Sequence, residues 1–235
     1  MTPRRGVVLV ALFWAIVVGG LCGVAPRVAA QESIKSEIDL STKDIGAKEN
    51  AIGNLVADSI RSEAKTDIAL IAASYFTEDT KIAKGTVSLK DLLKTLEYKD
   101  DSITVVKLTG SQILKALEHG LYLFPKGNSG FLHFSGMVVT IDASAEKEKR
   151  VLSVKIDGNT LEKSQTYKVA MPTPLANGAL GYFSIWKKDD VDKEETKRLD
   201  DKTLEKAIKS HLKEHKTLSK GDERLVVKGK ITDAK

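Results

Sequence analysis

Apolar and polar positions recur along this chain at two periods, and the period marks out its helices and strands. Between residues 49 and 61, Ile52, Leu55, Val56 and Ile60 return every three or four positions, which places them on one helical face. The run DIALIAA, residues 67–73, is apolar without alternation, as expected of a strand covered on both sides. SLKDLLKTL (88–96) opens on Ser88, a good N-cap with Asp91 three positions on, and aligns Leu89, Leu92, Leu93 and Leu96. SITVVKL (102–108) reads as a strand, and TGSQILKALEHGL (109–121) as a helix with Ile113, Leu114 and Leu117 inward.

The second half is richer in strands. FLHFSGMVVTIDA, RVLSVKIDG and QTYKVAM follow one another, with Asp157-Gly158-Asn159 as a turn. A charged stretch from Lys187 leads to a helix, TLEKAIKSHLKEH, and ERLVVKGKI closes the series as a strand. No internal repeat and no Pro/Gly/Ser-rich linker interrupts the order. The pattern predicts a single α+β domain over residues 45–232, two layers of mixed sheet and helices, with 31–44 as a polar lead-in.

Residues 1–30 differ from all of this. Arg4 and Arg5 precede an uncharged run from Gly6 to Ala25, and Val28, Ala29 and Ala30 supply small residues, so the segment reads as a secretory signal peptide cleaved between Ala30 and Gln31. An uncleaved anchor is the alternative, since about 18 apolar residues can span a bilayer. A twin-arginine signal ranks below ordinary secretion because the residues flanking Arg4-Arg5 fit it poorly. Leu21 before Cys22 argues against lipidation. The expected location is the periplasm or the extracellular space, with no membrane attachment after cleavage.

Cleavage would also remove the sole cysteine, so stability must rest on a packed core rather than disulfides. The leader holds three of the 37 Lys+Arg and none of the 32 Asp+Glu, leaving 34 against 32. A near-neutral chain with interleaved signs, as in KKDDVDKEETKRLDDK (187–202), does not offer the clustered basic face of a nucleic-acid binder.

The blocks ENAIGNLVADSIR, TDIALI, VSLKDLLKTL, ITVVKLTGSQILKALEHG, LHFSGMVVTID, YKVAMPTPLANGALGYF and LEKAIKSHLKEH…ERLVV stand in one order. Together they resemble the C-terminal domain of the 5'-nucleotidase and UDP-sugar hydrolase family. That resemblance implies a nucleotide-recognition domain, whose relatives carry a separate N-terminal metallophosphoesterase domain with two metal ions. A two-metal site needs several Asp, His and Asn ligands. The four histidines here fall in none of the family's ligand clusters. No catalytic residue, metal site or cofactor is therefore expected in this chain.

The family usually follows its first buried strand with Asn-Gly-Gly-Gly-Ile-Arg. The matching positions are Ala72, Ala73, Ser74, Tyr75, Phe76 and Thr77, which lack the cation and the glycines. An uncompensated loss of the bidentate Arg would remove about 1.5–3 kcal/mol. The family also brackets a base between two aromatics. The first turn is YKDD here, with Lys99 at the aromatic position and Tyr98 beside it; the second is NGALGYF, with Tyr182 retained and Leu180 in place of the acid.

Tyr75, Phe76, Tyr98, Lys99, Tyr182 and Phe183 are thus the candidate ligand-binding residues, for a small planar nucleoside- or nucleotide-like molecule. Stacking on such rings contributes about 1–3 kcal/mol each. The competing reading makes Phe76 and Phe183 core and the tyrosines caps over it. HLKEH matches a zinc-peptidase pattern, yet His211 and His215 fall on the apolar stripe of Leu204, Ala207, Ile208 and Leu212 and should face the core. His119 reads as the C-terminal cap of its helix ahead of Gly120, His133 as a strand residue turned to solvent or cleft, and Ser135-Gly136 lacks nucleophile-elbow spacing. Two functions stay open: an exported non-catalytic binding or accessory module, and a recognition subunit that completes a separately encoded metallophosphoesterase.

Overall fold

A computed structural model describes residues 32–186 and 196–230. The signal-peptide reading and residues 187–195 of the charged stretch lie outside the described residues. The segment expected to be a lead-in is instead folded: it supplies β1 (Ser33–Ser36) and β2 (Leu40–Ser41), which bury Ile34 and Leu40. The sequence there is polar because only alternate side chains turn inward.

Helix α1 (Ala51–Ala64) starts where the Asn50 side chain accepts from the Ile52 amide, and it stops at Lys65 in the left-handed region. Strand β3 (Ile68–Ala72) is buried at every position, as its unbroken apolar run requires. A one-turn 3-10 segment, Ala73–Tyr75, leads to β4 (Lys81–Ile82) and β5 (Gly85–Ser88). Ser88 and Asp91 form a reciprocal capping box on α2 (Leu89–Leu93), which is shorter than the leucine pattern implies. After β6 (Ser102–Thr109), Thr109 and Gln112 cap α3 (Gly110–Gly120) in the same way.

Four strands follow: β7 (Leu132–Ser135), β8 (Met137–Asp142), β9 (Val151–Ile156) and β10 (Asn159–Thr160). Asp157 and Gly158 both take positive φ, 48° and 81°, the geometry of a tight hairpin turn between β9 and β10. Then come β11 (Thr166–Pro172), the short α4 (Thr173–Ala176) and a kinked turn at Ala179–Ser184. The C-terminal part holds β12 (Lys197–Thr203), α5 (Leu204–Glu214), β13 (Thr217–Leu218) and β14 (Leu225–Lys228).

The central sheet has the order β12-β6-β11-β3-β7, with β11 parallel to β3 and the other pairs antiparallel. A second sheet runs β10-β9-β8-β14, and β1 lies between β13 and β5 in a third. Helix α1 packs on the central sheet and α5 packs on α1. The result is the expected α+β arrangement. One consequence positions the site: β3 and β11 end, and β6 and β7 begin, at the same edge of the central sheet.

Candidate ligand site

Four loops meet at that edge, the region where open α/β sheets bind ligands. Backbone bonds join them directly. Ala73 N donates to Phe131 O at 2.8 Å and Ser74 N to Ser129 O at 3.0 Å, tying the turn after β3 to the loop before β7. Glu97 N donates to Tyr75 O at 3.0 Å, tying it to the loop before β6. Thr173 Oγ1 donates to Ser102 O at 2.8 Å, and Tyr182 Oη to Gly130 O at 2.7 Å, so the loop after β11 joins both.

The turn that follows β3 is filled by its own aromatics. Tyr75 is buried; burial first, then the negative charge of Asp101, pushes the pKa of its hydroxyl up. Its ring meets Tyr98 edge-on at 5.7 Å. Phe76 points into the core, where it and Phe131 flank His133 at 5.6 and 5.4 Å. His133 is itself fully enclosed, its Nε2 bonded to Ile45 O at 2.8 Å, and burial pulls its pKa down to about 4. It faces neither solvent nor a cleft.

Tyr182 requires a correction. Its ring has no exposed surface, stacks on Trp186 at 4.9 Å and 14°, and bonds Gly130, so it is a core residue and presents no free face to a ligand. The aromatic that projects is its neighbour Phe183, 64% exposed, although the competing reading assigns that ring to the core. Sequence could not separate them because Leu180 (φ 59°) and Gly181 (φ 88°) turn the chain through left-handed conformations and reverse which ring faces inward.

Tyr98 is 57% exposed and Lys99 is also on the surface. The loop carrying them is anchored from behind: Leu204 N donates to Asp101 O and Glu205 N to Lys99 O, both from the first turn of α5. Of the six candidates, then, the structure brings Tyr75 and Tyr98 into contact, sends Phe76 and Tyr182 into the core, and leaves Lys99 and Phe183 projecting. A cleft of about 560 Å3 opens beside the turn after β3, lined in part by Ala73, Ser74, Glu78, Asp44 and Asn128. Asp44 lies below the ordinary carboxylate range because Lys48 bonds it.

The remaining histidines also resolve. His211 is buried as expected, stacked on His215 at 4.2 Å, and its Nδ1 has no partner; His215 is exposed because α5 ends at Glu214. His119 does not cap its own helix but reaches Leu180 O through Nε2 at 2.8 Å. Ser135 Oγ donates to Asp58 at 2.6 Å. Among the described residues, no group of three or more His, Cys, Asp or Glu side chains is placed to hold a metal ion. Trp186, which stacks on Tyr182, is not legible in the sequence because nothing local distinguishes it.

Residues 27–188 match the family model described as 5'-nucleotidase, C-terminal domain. The chain belongs to that family. A trifunctional nucleotide phosphoesterase of Bacillus subtilis is 29% identical over 154 residues, 62% of this chain and 10% of that protein. An apyrase of Anopheles gambiae is 26% identical over 170 residues, 68% of this chain and 29% of that protein. Among solved structures, a 5'-nucleotidase precursor from Thermus thermophilus superimposes with a TM-score of 0.72 at 25% identity, covering 83% of this chain and 39% of its own. This 5'-nucleotidase C-terminal domain therefore spans between a tenth and two fifths of the length of these relatives.

Proposed function

We propose that this 5'-nucleotidase C-terminal domain acts as an exported, non-catalytic binding or accessory module of nucleotide breakdown, holding a planar nucleoside- or nucleotide-like ligand at the loop edge of the central sheet. The observation that carries the reading is the arrangement around Tyr75. Its ring plugs the turn that is open and glycine-rich in the family pattern, while it braces Tyr98, whose ring remains exposed beside Lys99. A stacking face with an adjacent cation suits an aromatic ring bearing a phosphate.

A second reading is favoured by the extent of the match: this chain aligns with only part of relatives whose names describe hydrolases. Here it would be the recognition subunit of a separately encoded metallophosphoesterase. Thermal-shift measurements with adenosine, AMP and UDP-glucose test the shared premise, since a ligand that binds the native state raises Tm by mass action. Tyr98→Ala should abolish the shift. Assays of AMP hydrolysis with divalent metal, with and without a co-expressed metallophosphoesterase, separate the two readings; turnover by this chain alone would defeat both. Export is tested by N-terminal sequencing of the cell-free protein, which should begin at Gln31.

A further inference from the structure

Helix α5 ends in a pair of imidazoles that the loop site does not use. His215 lies past the last helical residue, yet its N–H still donates to His211 O at 2.9 Å, which keeps it one turn above His211. The two rings stack at 4.2 Å and 27°. Their settings differ, since His211 is only 9% exposed and His215 is open to solvent. We propose that this pair binds one divalent transition-metal ion, held by both imidazoles at the C-terminal end of α5 and completed by water.

Nδ1 of His211 is buried with no hydrogen-bond partner, whereas the rings of His119 and His133 each bond a backbone carbonyl at 2.8 Å. A buried polar group left unpaired costs about 1–3 kcal/mol. His211 therefore gains from a partner that the other two rings do not need. Access is available, because the ring stacked against it belongs to an exposed residue, and exposed side chains change rotamer freely. The protonation state is also suitable. A metal takes the unprotonated imidazole, and burial first, then the charge of His215, lowers the His211 pKa.

The surroundings favour positive charge. The last turn of a helix carries the negative end of its dipole. The lysines of α5 that flank this turn do not cancel it, since Lys209 and Lys213 both pair with Glu32, at 3.3 and 3.7 Å. Asp58 on α1 and Glu214 both act on His211 in the sense that favours a cation. Asp58 is shared by Arg224 and Ser135, at 2.6 Å each, while Glu214 is exposed between the two histidines in the chain. Among the described residues, no third His, Cys, Asp or Glu side chain is placed to join the pair. Two protein ligands are fewer than the three of a catalytic zinc centre, so this site is not the peptidase centre that HLKEH spells. Imidazole suits copper, nickel and zinc, with copper held most tightly, whereas magnesium prefers oxygen ligands.

The test is calorimetric titration of the untagged chain with Cu2+, Ni2+, Zn2+ and Mg2+ at neutral pH. Saturable one-to-one binding is expected, tightest for Cu2+ and absent for Mg2+. His215→Ala should weaken Cu2+ binding about tenfold or more, and Tyr98→Ala should leave it intact. His215 is exposed, so an unchanged Tm in metal-free buffer will show that its variant remains folded. The electron paramagnetic resonance spectrum of the Cu2+ complex should carry coupling to imidazole nitrogen that diminishes in His215→Ala. Equal Cu2+ affinity in the native chain and His215→Ala would place the ion elsewhere and overturn the assignment. So would the absence of saturable Cu2+ binding, or a spectrum without imidazole nitrogen.

Discussion

The imidazole of His133 lies directly against the α carbon of Gly53: a Cβ built on that glycine would sit 2.3 Å from Nδ1 of the ring. Gly53 occupies the first turn of α1, where a glycine lowers helix stability by about 1 kcal/mol relative to alanine. The side chain is missing because β7 brings His133 into that space. Helix and sheet pack as closely as they do through this exchange.

Gly53→Ala should therefore destabilise the fold by about 1–3 kcal/mol, overpacking outweighing the gain in helix propensity. Denaturant titration measures it. Combining it with His133→Ala, which vacates the ring, should cost less than the sum of the two single changes. Strict additivity would show that the two residues do not compete for one space.

Acid should weaken the fold through His133. An unfolded histidine titrates near 6.5, whereas burial holds His133 at about 4. The folded pKa is the lower one, so this contribution is complete above about pH 6.5 and is lost as the pH falls towards 4. The loss amounts to about 3 kcal/mol. His211 acts in the same direction, its pKa lowered first by burial and then by His215, with Asp58 and Glu214 opposing. Denaturation midpoints at pH 7 and 4.5 should differ markedly in the native chain and much less in His133→Gln.

Adjacent aromatics should respond in opposite ways. Tyr182→Ala removes a stacked, fully buried ring and should cost about 3–5 kcal/mol, whereas Phe183→Ala should shift stability by no more than about 0.5 kcal/mol. Thermal melts of the two variants provide the comparison. A large loss on changing Phe183 would contradict its exposed position.

Glu49 fastens the C-terminal strand. Its Oε2 accepts from Arg224 N and Leu225 N, both at 2.8 Å, while the Arg224 side chain pairs with Asp58 at 2.6 Å and donates to Phe134 O. Glu49→Ala should accelerate amide exchange across Leu225–Lys228 and cost about 1.5–3 kcal/mol for each charged hydrogen bond lost. Unchanged exchange in β14 would refute the assignment.

Periodicity and capping chemistry determined the elements without outside help. Asn50, Ser88 and Thr109 begin helices, the unbroken DIALIAA run became the fully buried β3, and Asp157-Gly158 turned a hairpin. These are local effects, set by side chains within a few residues of one another, and a linear chain displays them. The ordered blocks also conveyed the family.

Tertiary structure alone decided which way individual side chains face. Two left-handed residues exchange the roles of Tyr182 and Phe183, β7 sets His133 against a helix far earlier in the sequence, and β1 recruits residues whose composition resembles a linker. Direction at a loop, and contact between distant segments, depend on packing that becomes defined only when the whole core is assembled.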